Sequence, residues 1–278
     1  MTVGTTNPRN DVLYFVHVPK CAGTTVEEHF LEHLPAPHVM RPEKSKPIVR
    51  YLNGRAWRAP QTYEPAEVRI LCGHFFGRAT GALLAPHNRL EAILIRDPVG
   101  LYLSWYNYRM TRHEGWGRSI PTFEDWYRSQ GRNPVARHLL TRHLGWSELR
   151  FVLAPASEII AEARRALDTF WFVGEYKHVD TLLAAATEKF GAPARAPQRN
   201  ITQYKFLPRE KMSDALVAQV RRENEIDQYL SDRYNDRLFQ PAGAKSVPEP
   251  SVGRLASDEV RRLVAWAGIK ARIKALRD

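Results

Sequence analysis

Cysteine is scarce in this chain, with two among 278 residues, Cys21 and Cys72. Two thiols cannot build a disulfide framework or a four-ligand zinc site, so both read as free. Long hydrophobic runs are missing too: no apolar stretch approaches the roughly 20 residues that a membrane-spanning helix needs. Residues 1–10 are polar and lack the basic stretch followed by an apolar core that marks a secretory leader, and the expectation is a cytoplasmic location. Internal repeats and extended low-complexity tracts are absent, which sets aside repeat architectures. So are helix-turn-helix, zinc-module and ribonucleoprotein signatures, so no specific nucleic-acid partner is expected. Acidic charge is in deficit, at 30 Asp and Glu against 41 Lys and Arg, for a formal net charge of +11. That balance favours anionic partners such as a nucleotide, an acidic glycan, nucleic acid or an anionic membrane. Because the charge is dispersed, it does not choose among them.

What is present begins after the apolar run Leu13 to Val16, with His17-Val18-Pro19-Lys20-Cys21-Ala22-Gly23-Thr24-Thr25. A strand, a short loop and a helix start form a phosphate cradle, because the first turn of a helix offers unpaired N–H groups and the positive end of the macrodipole. Lys20 adds a point charge, Gly23 allows close backbone approach, and the Thr24 and Thr25 hydroxyls can donate hydrogen bonds and cap the helix. That helix is expected to run through Val26, Phe30, Leu31 and Leu34. The general P-loop places its lysine after the last glycine, whereas here Lys20 opens the loop and Gly23 follows. The order argues against an ordinary ATPase or kinase.

A second unit follows the mostly apolar run Leu90 to Ile95, which has the composition of an interior strand of a parallel sheet. It ends in Arg96-Asp97-Pro98. Asp97 suits a helix cap and Pro98 the first helical position. The helix from Val99 to Arg112 then carries Leu101, Tyr102, Trp105, Tyr106 and Tyr108 on an apolar, aromatic face, with Ser104 among them. An arginine fork matches phosphate oxygens bidentately, and a hydroxyl beside it adds a directed donor.

Together, and in this chain order, the two segments resemble the donor-binding motifs of sulfotransferases that use 3′-phosphoadenosine-5′-phosphosulfate (PAPS), in the glycan O-sulfotransferase branch. The resemblance covers roughly residues 11 to 240 and is specific at the two phosphate motifs. It extends more weakly over Asn133 to Gly145, the Ser157 to Phe190 region with its Val173-Gly174-Glu175 strand, and a closing helix from Glu225 to Phe239. The implied fold is α/β, a mainly parallel sheet flanked by helices in the P-loop-like sulfotransferase manner. The implied site has Lys20 and the backbone of Cys21, Ala22, Gly23, Thr24 and Thr25 around the 5′-phosphate, with Arg96 and Ser104 on the 3′-phosphate. Arg199, in Pro197 to Thr202, resembles a late family segment that reaches the nucleotide. PAPS is the implied donor, no metal is needed, and the acceptor is a hydroxyl, with carbohydrate the favoured class.

The acceptor hydroxyl needs a base. His74, in Gly73-His74-Phe75-Phe76-Gly77 after a strand expected at Val68 to Leu71, stands where ligands of open α/β sheets bind. The Gly-His pair resembles the histidine region of uronyl-type sulfotransferases, some of which carry a second histidine where this chain has Cys72. His74 also reads as a packed loop histidine or a substrate contact without proton transfer. His17 reads as structural, beneath the loop. Cys21 has two readings, a small residue that fits the loop or a thiol acidified by the helix start and Lys20.

Residues 1–10 read as a polar tail, 11–240 as the catalytic domain, 241–256 as a linker rich in Pro and Gly, and 257–278 as a basic helical tail. In the tail, Val260, Leu263, Val264 and Ala267 share one helical face while Ile269, Ile273 and Leu276 fall nearly opposite, so packing on the domain or on another subunit is expected. The basic segment from Pro35 to Pro65 reads either as a lid over an acidic glycan or as a solvated connection. Two other functions remain open from sequence: a nucleotide-dependent kinase, and a noncatalytic basic protein that binds nucleotide or polyanion.

Overall fold

The computed structural model describes residues 11–35, 39–40, 67–74, 77–78, 88–191, 206–236 and 238–239. Its centre is β1 (Asp11–Val16), buried at every position. It lies between β3 (Ile70–Gly73) and β4 (Asn88–Ile95), parallel to both. A strand covered on both faces must be apolar along its whole length, which is why the Val12 to Val16 run does not alternate. Outside β3 lies the two-residue β2 (Val39–Met40), and beside β4 lies β5 (Phe172–Glu175), both parallel to their neighbours. The two-residue β6 (Leu238–Phe239) closes that edge antiparallel, giving the order β2-β3-β1-β4-β5-β6. The α/β architecture with a mainly parallel sheet is as the sequence indicates.

Helices flank the sheet: α1 (Gly23–His33), α2 (Pro98–Gly115), α3 (Phe123–Arg128), α4 (Pro134–Arg137), α5 (Glu148–Leu153), α6 (Ala156–Leu167), α7 (Val179–Phe190), α8 (Asp214–Glu223) and α9 (Glu225–Tyr234). A large core joins β1, β3, β4 and β5 to the apolar faces of α1, α6, α7 and α9. A second, aromatic cluster sits under α2, where Tyr102, Tyr106, Phe123, Trp126 and Tyr127 meet Met212, Leu216 and Val220. Buried polar groups tie the two together. The Asn224 side-chain oxygen accepts from the Asn133 amide at 2.7 Å and from the Tyr102 hydroxyl at 3.0 Å. Asp227 accepts from the Val135 and Ala136 amides, each at 2.8 Å, so α9 caps the start of α4. Burial pushes the Asp227 carboxyl up to about 7, against the opposite pull of those two amides.

Three expectations need correction. The strand before His74 is shifted to Ile70–Gly73, so Cys72 lies inside it. The Asn133 to Gly145 helix is broken: α4 lasts one turn and passes into a π-helical stretch, His138–His143, after which the Leu144 amide donates to Leu139 at 3.0 Å, five residues back. The closing helix ends at Tyr234 rather than continuing to Phe239. Asn235 and Asp236 favour a turn, and Phe239 then packs edge-on against Phe172 and Trp171 as part of β6. Among the described residues no helix is long and apolar enough to cross a membrane. Arg199, most of the segment from Pro35 to Pro65, the linker and the basic tail lie outside the described residues.

Candidate active site

The strand order places the site. The chain leaves β1 toward β2 on one side and leaves β4 toward β5 on the other, so the connections reverse direction between the carboxyl ends of β1 and β4. Open α/β sheets form a ligand crevice at that switch point. The residues emerging there are the loop before α1 and Arg96-Asp97 before α2.

The first loop adopts costly backbone. Lys20 (φ 67°) and Ala22 (φ 61°) are both left-handed, a conformation that non-glycine residues disfavour. The helix cap is Ala22, whose side chain has nothing to cap with. Thr24 and Thr25 lie inside the first turn of α1 and are not its cap, which corrects the sequence reading. The glycine requirement at 23 also has a different cause. A Cβ there would sit 1.8 Å from Cδ2 of His17, so the close approach is that of a buried imidazole beneath the loop. His17 is held there by Glu27, whose Oε1 lies 2.7 Å from His17 Nδ1.

Cys21 is buried, and burial pushes its thiol up to about 12 despite the neighbouring Arg96 and Lys20 charges. The acidified-thiol reading is therefore overturned; Cys21 acts as a small apolar residue filling the loop.

The second unit is regular. Asp97 accepts from the Gly100 amide at 2.9 Å, and Pro98 occupies the first helical position. Arg96 is buried at the end of β4, and Ser104 is buried two turns into α2. The Arg96 guanidinium donates from Nη1 to the Lys20 carbonyl at 3.2 Å and stacks 4.1 Å from the Tyr176 ring centroid. That hydrogen bond joins the two loops. The Lys20 ammonium sits 4.2 Å from the centroid of the Tyr108 ring, and burial, then the Arg96 charge, lowers its pKa. The two cations repel each other, and a bound oxyanion would relieve the repulsion.

Histidines line the β3 side of the crevice. His74 donates from Nδ1 to the His17 carbonyl at 2.8 Å, because a carbonyl can only accept. The Nε2 atom then carries the lone pair. The His74 ring centroid lies 3.8 Å from that of His17 and 6.3 Å from that of His138. Burial, then the His17 charge, lowers the His74 pKa, and burial lowers that of His138 well below the usual range. Both rings are thus neutral at neutral pH.

On the other end of the π-helical stretch, His143 is neutral by burial and donates from Nε2 to Glu91 at 3.0 Å. Arg78 forks onto the same carboxylate at 2.9 and 2.7 Å. Burial would raise the Glu91 carboxyl, yet the hydrogen bonds from His143 and Arg78 hold it down at about 2.

The structure thus brings Lys20, Cys21, Ala22, Gly23, Thr24, Thr25, Arg96 and His74 to the loops at one end of the sheet, with Ser104 on the adjoining helix. Glu27, Tyr108, His138 and Tyr176 also belong to this neighbourhood: Tyr108 and His138 lie within segments the sequence had marked but were given no role there, and Glu27 and Tyr176 were not singled out. Among the described residues no group of three His, Cys, Asp or Glu side chains is placed to hold a metal ion. Comparison of the chain with protein-family models, with curated proteins and with solved structures gave no match in any of the three.

Proposed function

We propose that the protein transfers a sulfuryl group from PAPS to an acceptor hydroxyl, with carbohydrate the favoured acceptor class, on a P-loop-like sulfotransferase fold. The observation that carries the reading is the junction of two strand–loop–helix units at the switch point, where Arg96 hydrogen-bonds the Lys20 carbonyl. One unit offers backbone amides and an ammonium to a 5′-phosphosulfate. The other offers a buried guanidinium and the Ser104 hydroxyl to a 3′-phosphate.

In-line displacement needs little more than positioning and charge. The acceptor oxygen forms its bond to sulfur as the bond from sulfur to the phosphate oxygen breaks, and the negative charge collects on that leaving oxygen. Lys20 is placed to neutralise it. His74 Nε2 takes the hydroxyl proton, its ring fixed by the bond from Nδ1 to His17, and the scheme assigns no step to a metal.

The test that needs no acceptor is calorimetric titration with 3′-phosphoadenosine-5′-phosphate, compared with 5′-AMP and with ATP plus magnesium. Selective binding of the 3′-phosphorylated nucleotide is expected; no binding, or a preference for ATP, overturns the reading. For His74 the expectation is a rate that rises with pH through a value below the ordinary imidazole range and levels off above it, since a lowered pKa leaves the base deprotonated earlier. His74→Ala should remove that limb and slow transfer by about 10²- to 10⁴-fold.

A further inference from the structure

Helix α2 continues for two turns past Tyr108, and its outer face there has its own chemistry. Tyr108, Arg112 and Trp116 recur at every fourth residue and so stand in one row. The row starts at Lys20, over the Tyr108 ring. The Arg112 guanidinium lies 5.7 Å from the Tyr108 ring centroid and 5.2 Å from that of Trp116, and it donates to the Tyr108 hydroxyl at 3.0 Å. Beyond Trp116 comes Arg118, 5.0 Å from the same ring. Cations and aromatic rings therefore alternate, and Tyr108 to Trp116 alone spans about 12 Å at 1.5 Å per residue.

The row is exposed. Tyr108 and Trp116 are 44% and 52% accessible, and Ile120 nearby in sequence is 41% accessible. Large apolar groups in water, rimmed by polar and charged residues, mark an interaction surface. From Tyr108 to Ile120 the charged residues are Arg109, Arg112 and Arg118 against Glu114, with His113 between. Stacking uses the plane of a guanidinium and leaves its N–H edge for an oxyanion. The same cations lie over the ring faces, where a nucleobase would have to stack. What the row offers is arginine guanidinium groups beside exposed aromatic rings, the complement of a sugar chain bearing carboxylate or sulfate groups.

We propose that this row is the acceptor-docking surface and that its ligand is an anionic oligosaccharide, led along α2 toward Lys20. As an acceptor site it rests on the sulfotransferase reading; as a glycan-binding surface it can be measured without turnover. The experiment is titration of the full chain with a heparin-derived hexasaccharide, maltohexaose and an oligothymidylate of matching charge, in wild type, Arg112→Ala, Trp116→Ala and Trp116→Phe. All three substitutions are on exposed positions.

The hexasaccharide should bind, maltohexaose should not, and each alanine variant should lose about three- to tenfold in affinity, with Trp116→Phe recovering part of it. Unchanged hexasaccharide binding in both alanine variants overturns the proposal, and so does oligothymidylate binding as tight as the hexasaccharide and equally sensitive to the row. The same variants are titrated with 3′-phosphoadenosine-5′-phosphate, whose affinity should not move; a loss would place the row in the donor site and overturn the docking role. If wild type does not bind that nucleotide while the hexasaccharide pattern holds, the sulfotransferase reading fails and the glycan-binding surface stands.

Discussion

The two loops that meet at the switch point solve the same problem in opposite ways. Before α2, Asp97 takes the Gly100 amide and Pro98 brings no amide at all, so fewer amides are left for an anion, and the proposed reading assigns its recognition to the Arg96 and Ser104 side chains. Before α1, the cap is an alanine, two non-glycine residues are left-handed, and the first-turn amides have no side-chain partner from the cap. On the proposed reading, the first loop would hold its ligand with backbone amides and one ammonium, and the second with side chains alone. A strained, uncapped start is costly in isolation and is favoured where a bound anion completes it.

Removing the charge from each loop in turn gives the largest separation between them. Lys20→Ala should reduce sulfuryl transfer by about 10²- to 10³-fold, the scale of losing one donor to a developing anion. Its affinity for 3′-phosphoadenosine-5′-phosphate should change far less, so kcat and nucleotide affinity measured together check the assignment. Arg96→Ala should do the reverse, weakening that nucleotide by about 10- to 100-fold, the scale of a charge-assisted hydrogen bond, while 5′-AMP affinity hardly changes. A comparable loss for both nucleotides would mean that Arg96 does not read the 3′-phosphate.

Smaller effects test the supports. Gly23→Ala should destabilise the protein by about 2 kcal/mol, because the new methyl group overlaps the His17 ring. In a His17→Ala background the same change should be nearly neutral, and a denaturant double-mutant cycle measures the difference. An equal cost in both backgrounds would remove His17 as the reason for the glycine. Asp97→Ala should cost about 1 kcal/mol in denaturant unfolding, the ordinary value of a helix cap. The cap before α1 has no equivalent side chain to delete.

Much of this layout was legible in the chain. Leu13 to Val16 and Leu90 to Ile95 had to be interior strands, and Asp97-Pro98 had to open a helix, because each rests on local backbone chemistry. The glycine at position 23 was visible, but its cause was not. Space for an anion and space for the His17 ring leave the same mark in a sequence. Helix α1 similarly gave no sign that its cap would be alanine, since Thr24 and Thr25 are better capping residues by type. The contacts of His138 with His74 and of Tyr108 with Lys20 were out of reach for another reason: they arise from tertiary packing across elements far apart in the chain. The break at His138–His143 carries no proline or glycine, so no punctuating residue announces it.

That break has a geometric consequence. An α-helical residue turns about 100° from its predecessor, so one extra residue taken up in a wider turn changes the phase of everything that follows it. The π-helical stretch sends His138 toward His74 at the mouth of the crevice and His143 toward Glu91 inside the sheet's flank, five positions later. The stretch therefore works as an angular offset that sets the direction of His143 on Glu91 relative to that of His138 beside His74.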